Sequence, residues 1–144
     1  MKARLGALFV LILIAFSLPA QEIEKCDTNL LLSTSKRVGK LTHKEISDFL
    51  MTFGEECRTN VEFSEWSNEV LFSILDQQTD AILRVIDKGE KWLAIEVILE
   101  SFSAPVNETV RISDLIQKVN ATTISSKTKN QVIDRLKMVE GDAN

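Results

Sequence analysis

Apolar residues recur three and four apart along almost the whole chain, and strict alternation is nearly absent. That period is helical. Five glycines and two prolines leave few breakers. The spacing predicts a first helix over Glu22 to Leu32, with Ile23, Cys26 and Leu30 on one face, followed by a polar connector from Ser33 to Lys40. The second helix has the best-marked start. Thr42-His43-Lys44-Glu45 reads as a capping box, and Leu41 and Ile46 flank it as a hydrophobic staple. Ile46, Phe49, Leu50, Phe53 and Cys57 then fall on one stripe, which turns Cys57 inward.

Ser64 or Ser67 is expected to cap a third helix carrying Trp66, Val70, Leu71, Ile74 and Leu75. After the break at Asp76-Gln77-Gln78-Thr79, Thr79 is placed to cap a short fourth helix that Gly89 ends. Glu90 to Ser103 stands apart. Trp92, Leu93, Ile95, Val97, Ile98, Leu99 and Phe102 surround most of its circumference, leaving Glu96 and Glu100 as a narrow polar strip. So apolar a helix is expected at the centre of the fold. Ala104-Pro105 stops it, and Val106 to Arg111 reads as a loop. A sixth helix carries Ile112, Leu115, Ile116 and Val119, and a last one, opened by Ile124-Ser125, carries Val132, Ile133, Leu136 and Val139. The expected class is all-α: a small antiparallel helical bundle or a short stack of helical hairpins, about six or seven helices in all. As an analogy of fold alone, the cadence from Phe63 onward resembles helical-hairpin repeats of the HEAT type, without a second copy that matches residue by residue.

The amino end changes the reading of everything after it. Met1-Lys2-Ala3-Arg4, the apolar run Leu5 to Phe16 and Ser17-Leu18-Pro19-Ala20 have the order of a secretory signal peptide over residues 1–20. The run is too short to span a membrane, which takes roughly 20 apolar residues. Cleavage is expected after Ala20, with Ser17 as the alternative cut and an uncleaved anchor as the competing reading. Residues 21–144 then form one secreted or periplasmic domain, expected to be soluble and without stable membrane insertion. In that compartment Cys26 and Cys57, 31 positions apart, are expected to form a disulfide rather than remain two buried thiols.

Charge narrows the partners. Without Lys2 and Arg4 the chain carries 15 basic and 21 acidic side chains, a formal charge of −6 rather than −4. Nucleic acid is an unsuitable partner for such a balance. Catalytic equipment is sparse. His43 is the one histidine, there is no tyrosine, and no serine sits in a G-x-S-x-G turn. One histidine and two distant cysteines make no four-ligand zinc site, and no calcium-loop motif occurs. The reading is therefore a chain without enzymatic activity, cofactor or resident metal.

Carboxylates are the group in surplus. Glu65 and Glu69, and again Glu96 and Glu100, stand four apart and share a helix face. Each pair reads first as a solubilising strip, and otherwise as an acid–base pair or the lining of a groove. Trp66 with Phe63 reads as core packing, or as an interface anchor if exposed. Lys36, Arg37, Lys40 and Lys44 form a cationic cluster in the connector. Asn107 and Asn120 begin glycosylation acceptor triplets in expected loops, treated as chance matches for a periplasmic protein.

These observations lead to an exported, non-enzymatic interaction module that binds another macromolecule as an inhibitor or accessory subunit. Its candidate binding face is Glu65, Trp66, Glu69, Glu96 and Glu100, suited to a basic protein partner and sensitive to salt. The alternative is a carrier of a hydrophobic small molecule between helices. A carboxylate-based hydrolase ranks last, since no sugar-binding tyrosine accompanies either pair.

Overall fold

The computed structural model describes residues 26–142. The expected leader, its expected cleavage site and the start of the expected first helix lie outside the described residues. Among the described residues there are seven α-helices, two 3-10 turns and no strand.

The first helix, α1, is Thr28–Ser35 rather than Glu22–Leu32. Asp27 caps it, its side chain accepting from the amide of Asn29 at 2.8 Å. The shift leaves Cys26 ahead of the helix. In α2, His43–Leu50, the expected capping box is present: Thr42 Oγ1 accepts from the amide of Glu45, and the Glu45 carboxylate accepts from the amide of Thr42. Leu41 and Ile46 are both buried.

The stripe from Ile46 to Cys57 is not one helix. After Leu50 the chain tightens into a 3-10 turn at Met51–Phe53, Gly54 adopts an extended conformation, and a second 3-10 turn spans Glu55–Cys57. Cys57 is still buried and bonds to Cys26 across a Cα separation of 5.6 Å. The bridge therefore pins the lead-in to α1 against the second 3-10 turn, not against α2.

Helix α3, Val61–Gln77, begins earlier than expected because Asn60, not Ser64 or Ser67, caps it through the amide of Phe63. It holds the longest series of buried side chains, among them Leu71, Ile74 and Leu75, and packs against α1. Helix α4, Thr79–Lys88, follows after Gln78 alone and also packs on α3. Thr79 does not cap it. Its hydroxyl donates back to the carbonyl of Leu75, so it closes α3 instead. The junction is held by Gln78, whose carboxamide accepts from the amide of Leu41 (2.8 Å) and donates to its carbonyl (3.0 Å). Gly89, with φ of 58°, ends α4 as expected.

The largest correction concerns Glu90–Ser103. Only Ile95–Ser101 is helical, as α5. Residues Glu90 to Leu93 turn locally, with the Leu93 amide on the Glu90 carbonyl. The Glu90 carboxylate is meanwhile held by Lys88 and by the hydroxyl of Ser47. That turn leaves Trp92 61% exposed, while Ile95 and Val97 are half-buried and Leu93, Ile98, Leu99 and Phe102 enter the core. The centre of the fold is α3, not this segment.

Helices α6, Ile112–Ala121, and α7, Ser126–Asp142, form a closely packed pair. Helix α4 packs on both. Ser125 receives the amide of Thr128 at the start of α7, and both hydroxyls donate to the Asp87 carboxylate at the end of α4. Among the described residues no helix is long and apolar enough to cross a membrane.

Candidate functional site

Asn68 organises the surface around α3 and α5. It is 7% exposed, and its carboxamide spans two turns of distant chain. The nitrogen donates to the carbonyl of Ser101 at 3.1 Å, and the oxygen accepts from the amide of Val106 at 3.0 Å. Phe72 meets Phe102 edge to face with centroids 5.9 Å apart, fixing the same junction one turn further along α3. The 101–106 segment is thereby clamped onto α3 and forms a ridge. One groove runs along it, and a second lies between α3 and residues 107–115.

The first groove, about 380 Å³, lies between the 3-10 turns with α3 and the end of α5 with the ridge. Phe53, Val97 and Val106 give it apolar wall, and Arg58 and Glu100 stand at it with opposite charge. Thr52 and Ser67, 3% and 2% exposed, also line it. Their hydroxyl oxygens are buried without a hydrogen-bond partner. An unsatisfied buried hydroxyl costs about 1–3 kcal/mol, so two beside one groove require an explanation. The second groove, about 470 Å³, is lined by Glu69, Phe72 and Asp76 of α3 and by Asn107, Arg111 and Asp114 across from them.

The five expected site residues are therefore not gathered into one cleft. Glu100 lies at the first groove and Glu69 at the second. Glu65 and Glu96 are exposed on α3 and α5, and Trp66 is half-buried against the core. None of Glu65, Glu69, Glu96 and Glu100 has an ion-pair partner among the described residues. Other acids do: Glu45 with Arg37, Asp48 with Lys44, Asp76 with Lys118, Asp80 with Arg84.

Three other carboxylates sit below their ordinary range, each for a structural reason. Glu45 is lowered first by the amide of Thr42 and then by its hydroxyl. Asp87 is lowered first by Ser125 and then by Thr128. For Glu90 the leading cause is the hydrogen bond from Lys88, with Ser47 adding to it. All three hold helix ends or turns together. They are anchors of the fold rather than candidates for proton transfer.

The remaining candidates are dispersed. His43 is exposed in the first turn of α2. Among the described residues no group of three or more histidine, cysteine or acidic side chains is placed to hold a metal ion. In the cationic cluster, Arg37 and Lys44 are already paired with Glu45 and Asp48. Asn107 lies in the α5–α6 loop and accepts from the amide and hydroxyl of Thr109. Asn120, expected in a loop, is in the last turn of α6.

Sequence reasoning passed over Thr52, Arg58 and Asn68, and read Ser67 only as a candidate helix cap. Asn68 carried no clear signal, because polar Ser64 and Glu65 share its helix face. Comparison with protein-family models, with curated proteins and with solved structures finds no match for this chain.

Proposed function

We propose that this chain is an exported, non-enzymatic interaction module that binds a basic protein through the acidic surface of α3 and α5. One observation carries the reading: Glu65, Glu69, Glu96 and Glu100 are all exposed, and none is in an ion pair among the described residues. Exposed carboxylates left unpaired on adjoining helices present a negative field that steers a positive partner. The ridge clamped by Asn68 supports the same reading, since it presents both helices in a set geometry and lowers the ordering cost of binding. The Cys26–Cys57 bridge accords with export. An apolar carrier is disfavoured because charged side chains line the first and second grooves.

The test compares wild type with the quadruple variant Glu65→Gln, Glu69→Gln, Glu96→Gln, Glu100→Gln as bait against the envelope fraction of the producing cell. A protein with a basic face should be retained by wild type at low salt, released as salt rises, and lost by the variant. Equal retention of the same proteins by bait and variant at every salt concentration would overturn the proposal.

A further inference from the structure

The first groove carries two unpartnered hydroxyls in its lining. Thr52 and Ser67 come from different elements, the first 3-10 turn and α3, yet both line this groove and both lack a hydrogen-bond partner. Unsatisfied hydroxyls in a native core are rare, and a pair of them beside one concavity marks a place where polar groups of a ligand are expected. Their oxygens are themselves covered, so a χ1 step between staggered wells is needed to turn them toward an occupant. Arg58 and Glu100 add a guanidinium and a carboxylate at the same groove, neither in an ion pair among the described residues. Phe53 and Val97 supply apolar wall. A volume of about 380 Å³ falls at the small end of the roughly 300–1,000 Å³ typical of small-molecule sites.

We propose that this groove binds a small zwitterion of the α-amino acid or dipeptide class. Arg58, with a donated hydroxyl hydrogen bond from Thr52 or Ser67, takes the carboxylate. Glu100 takes the ammonium group, and the ligand side chain lies against Phe53 and Val97. Opposite charges at one groove select a zwitterion over a simple acid or amine, because either of those leaves one charged side chain unmatched. The inference shares Glu100 with the proposed protein-binding surface but needs no macromolecular partner, and Thr52 and Ser67 line this groove without belonging to that surface.

The experiment titrates the disulfide-bonded protein with leucine and with alanyl-leucine, followed by amide chemical shifts. Two controls lack one charge each: the N-acetyl derivative and the methyl ester. The expected result is saturable shifts centred on residues 52, 58, 67 and 100, with either control binding at least about tenfold more weakly. The variants Thr52→Val and Ser67→Ala should remain folded, keep or raise their thermal midpoint, and lose binding by a similar factor. Three results would each overturn the site: no saturable shift up to 10 mM (about the weakest affinity that such contacts would give), equal binding of the blocked controls, or undiminished binding by the folded hydroxyl variants.

Discussion

The carboxamide of Asn68 receives the amide of Val106 at 3.0 Å across 38 residues of sequence, and it is this bond that turns a surface loop into a ridge. The same side chain also holds the carbonyl of Ser101. Asn68→Ala should destabilise the protein by about 2–3 kcal/mol, since it leaves a part-buried N–H without its partner and removes a second bond. Urea unfolding measures the loss. Amide exchange locates it: Val106 should lose protection more than the α6–α7 pair does. Uniform loss across the domain would mean that Asn68 supports the core generally and not the ridge.

Cys26 and Cys57 close a loop of sequence separation 31. Reduction should lower stability by about 3–4 kcal/mol in the chain-entropy view, or somewhat less where the unfolded chain retains structure. The bridge anchors the 3-10 turn that precedes Arg58, so its loss also frees one wall of the first groove. Urea midpoints with and without reductant, repeated on Cys26→Ser/Cys57→Ser, give the measurement. A double variant as stable as the oxidised protein would show that the bridge contributes nothing.

Acid should unfold this domain through Asp87, Glu90 and Glu45. Each has its ionised form favoured in the folded state, Asp87 by Ser125 and Thr128, Glu90 by Lys88 and Ser47, Glu45 by Thr42. A folded-state pKa below the unfolded one stabilises above the unfolded value, roughly pH 4 for these groups, and the contribution disappears as pH falls through the folded value. Stability should therefore be level near neutrality and decline below about pH 4–5. In Asp87→Asn or Glu90→Gln the decline between pH 5 and pH 3 should be shallower than in wild type. Parallel acid limbs in wild type and both variants would contradict this assignment.

Gly89 closes α4 in the left-handed region, φ 58° and ψ 51°, with its amide on the carbonyl of Ile86. A Cβ built there would meet nothing nearer than 3.8 Å, so a side chain has room. Any loss in Gly89→Ala is then conformational, about 1–2 kcal/mol, and Gly89→Asn should recover part of it because asparagine tolerates this region better. Thermal unfolding of the two variants decides it. An alanine variant as stable as wild type would mean that the turn from Glu90 to Leu93 readjusts without strain.

Features with a local chemical signature were legible before the structure. The capping box at Thr42 and Glu45, the stop at Gly89, and the stripes of α6 and α7 depend on residues a few positions apart. The Glu90–Ser103 region failed for the opposite reason. Its apolar residues surround most of the helix circumference and leave only the narrow Glu96 and Glu100 strip, so periodicity could not separate a helix from a turn leading into one. What decides the matter is tertiary: Ser47, 43 residues earlier, holds Glu90 in the turn. The site follows the same division. Spacing placed Glu65 with Glu69 and Glu96 with Glu100, but that only Glu69 and Glu100 stand at grooves depends on how the chain after α5 packs on α3, where Asn68 reaches Ser101 and Val106. The hydroxyls of Thr52 and Ser67 left no trace in the sequence, because an absent hydrogen bond is visible only in three dimensions.

Trp92 offers the sharpest test of that correction. A helix from Glu90 to Ser103 at the centre of the fold would bury the indole, and its removal would then cost about 3–5 kcal/mol, as large core truncations do. At 61% exposure it should matter little. Trp92→Ser is expected to change stability by no more than about 0.5 kcal/mol, while Leu71→Ala, fully buried on α3, should cost about 2–5 kcal/mol. Emission separates the two tryptophans directly. In Trp66→Phe, the remaining Trp92 should emit at long wavelength and be readily quenched by acrylamide. In Trp92→Phe, the half-buried Trp66 should be bluer and better protected. If Trp92 proved shielded and its loss unfolded the protein, the core would have to be redrawn around the 90–103 segment, and the placement of both grooves would change with it.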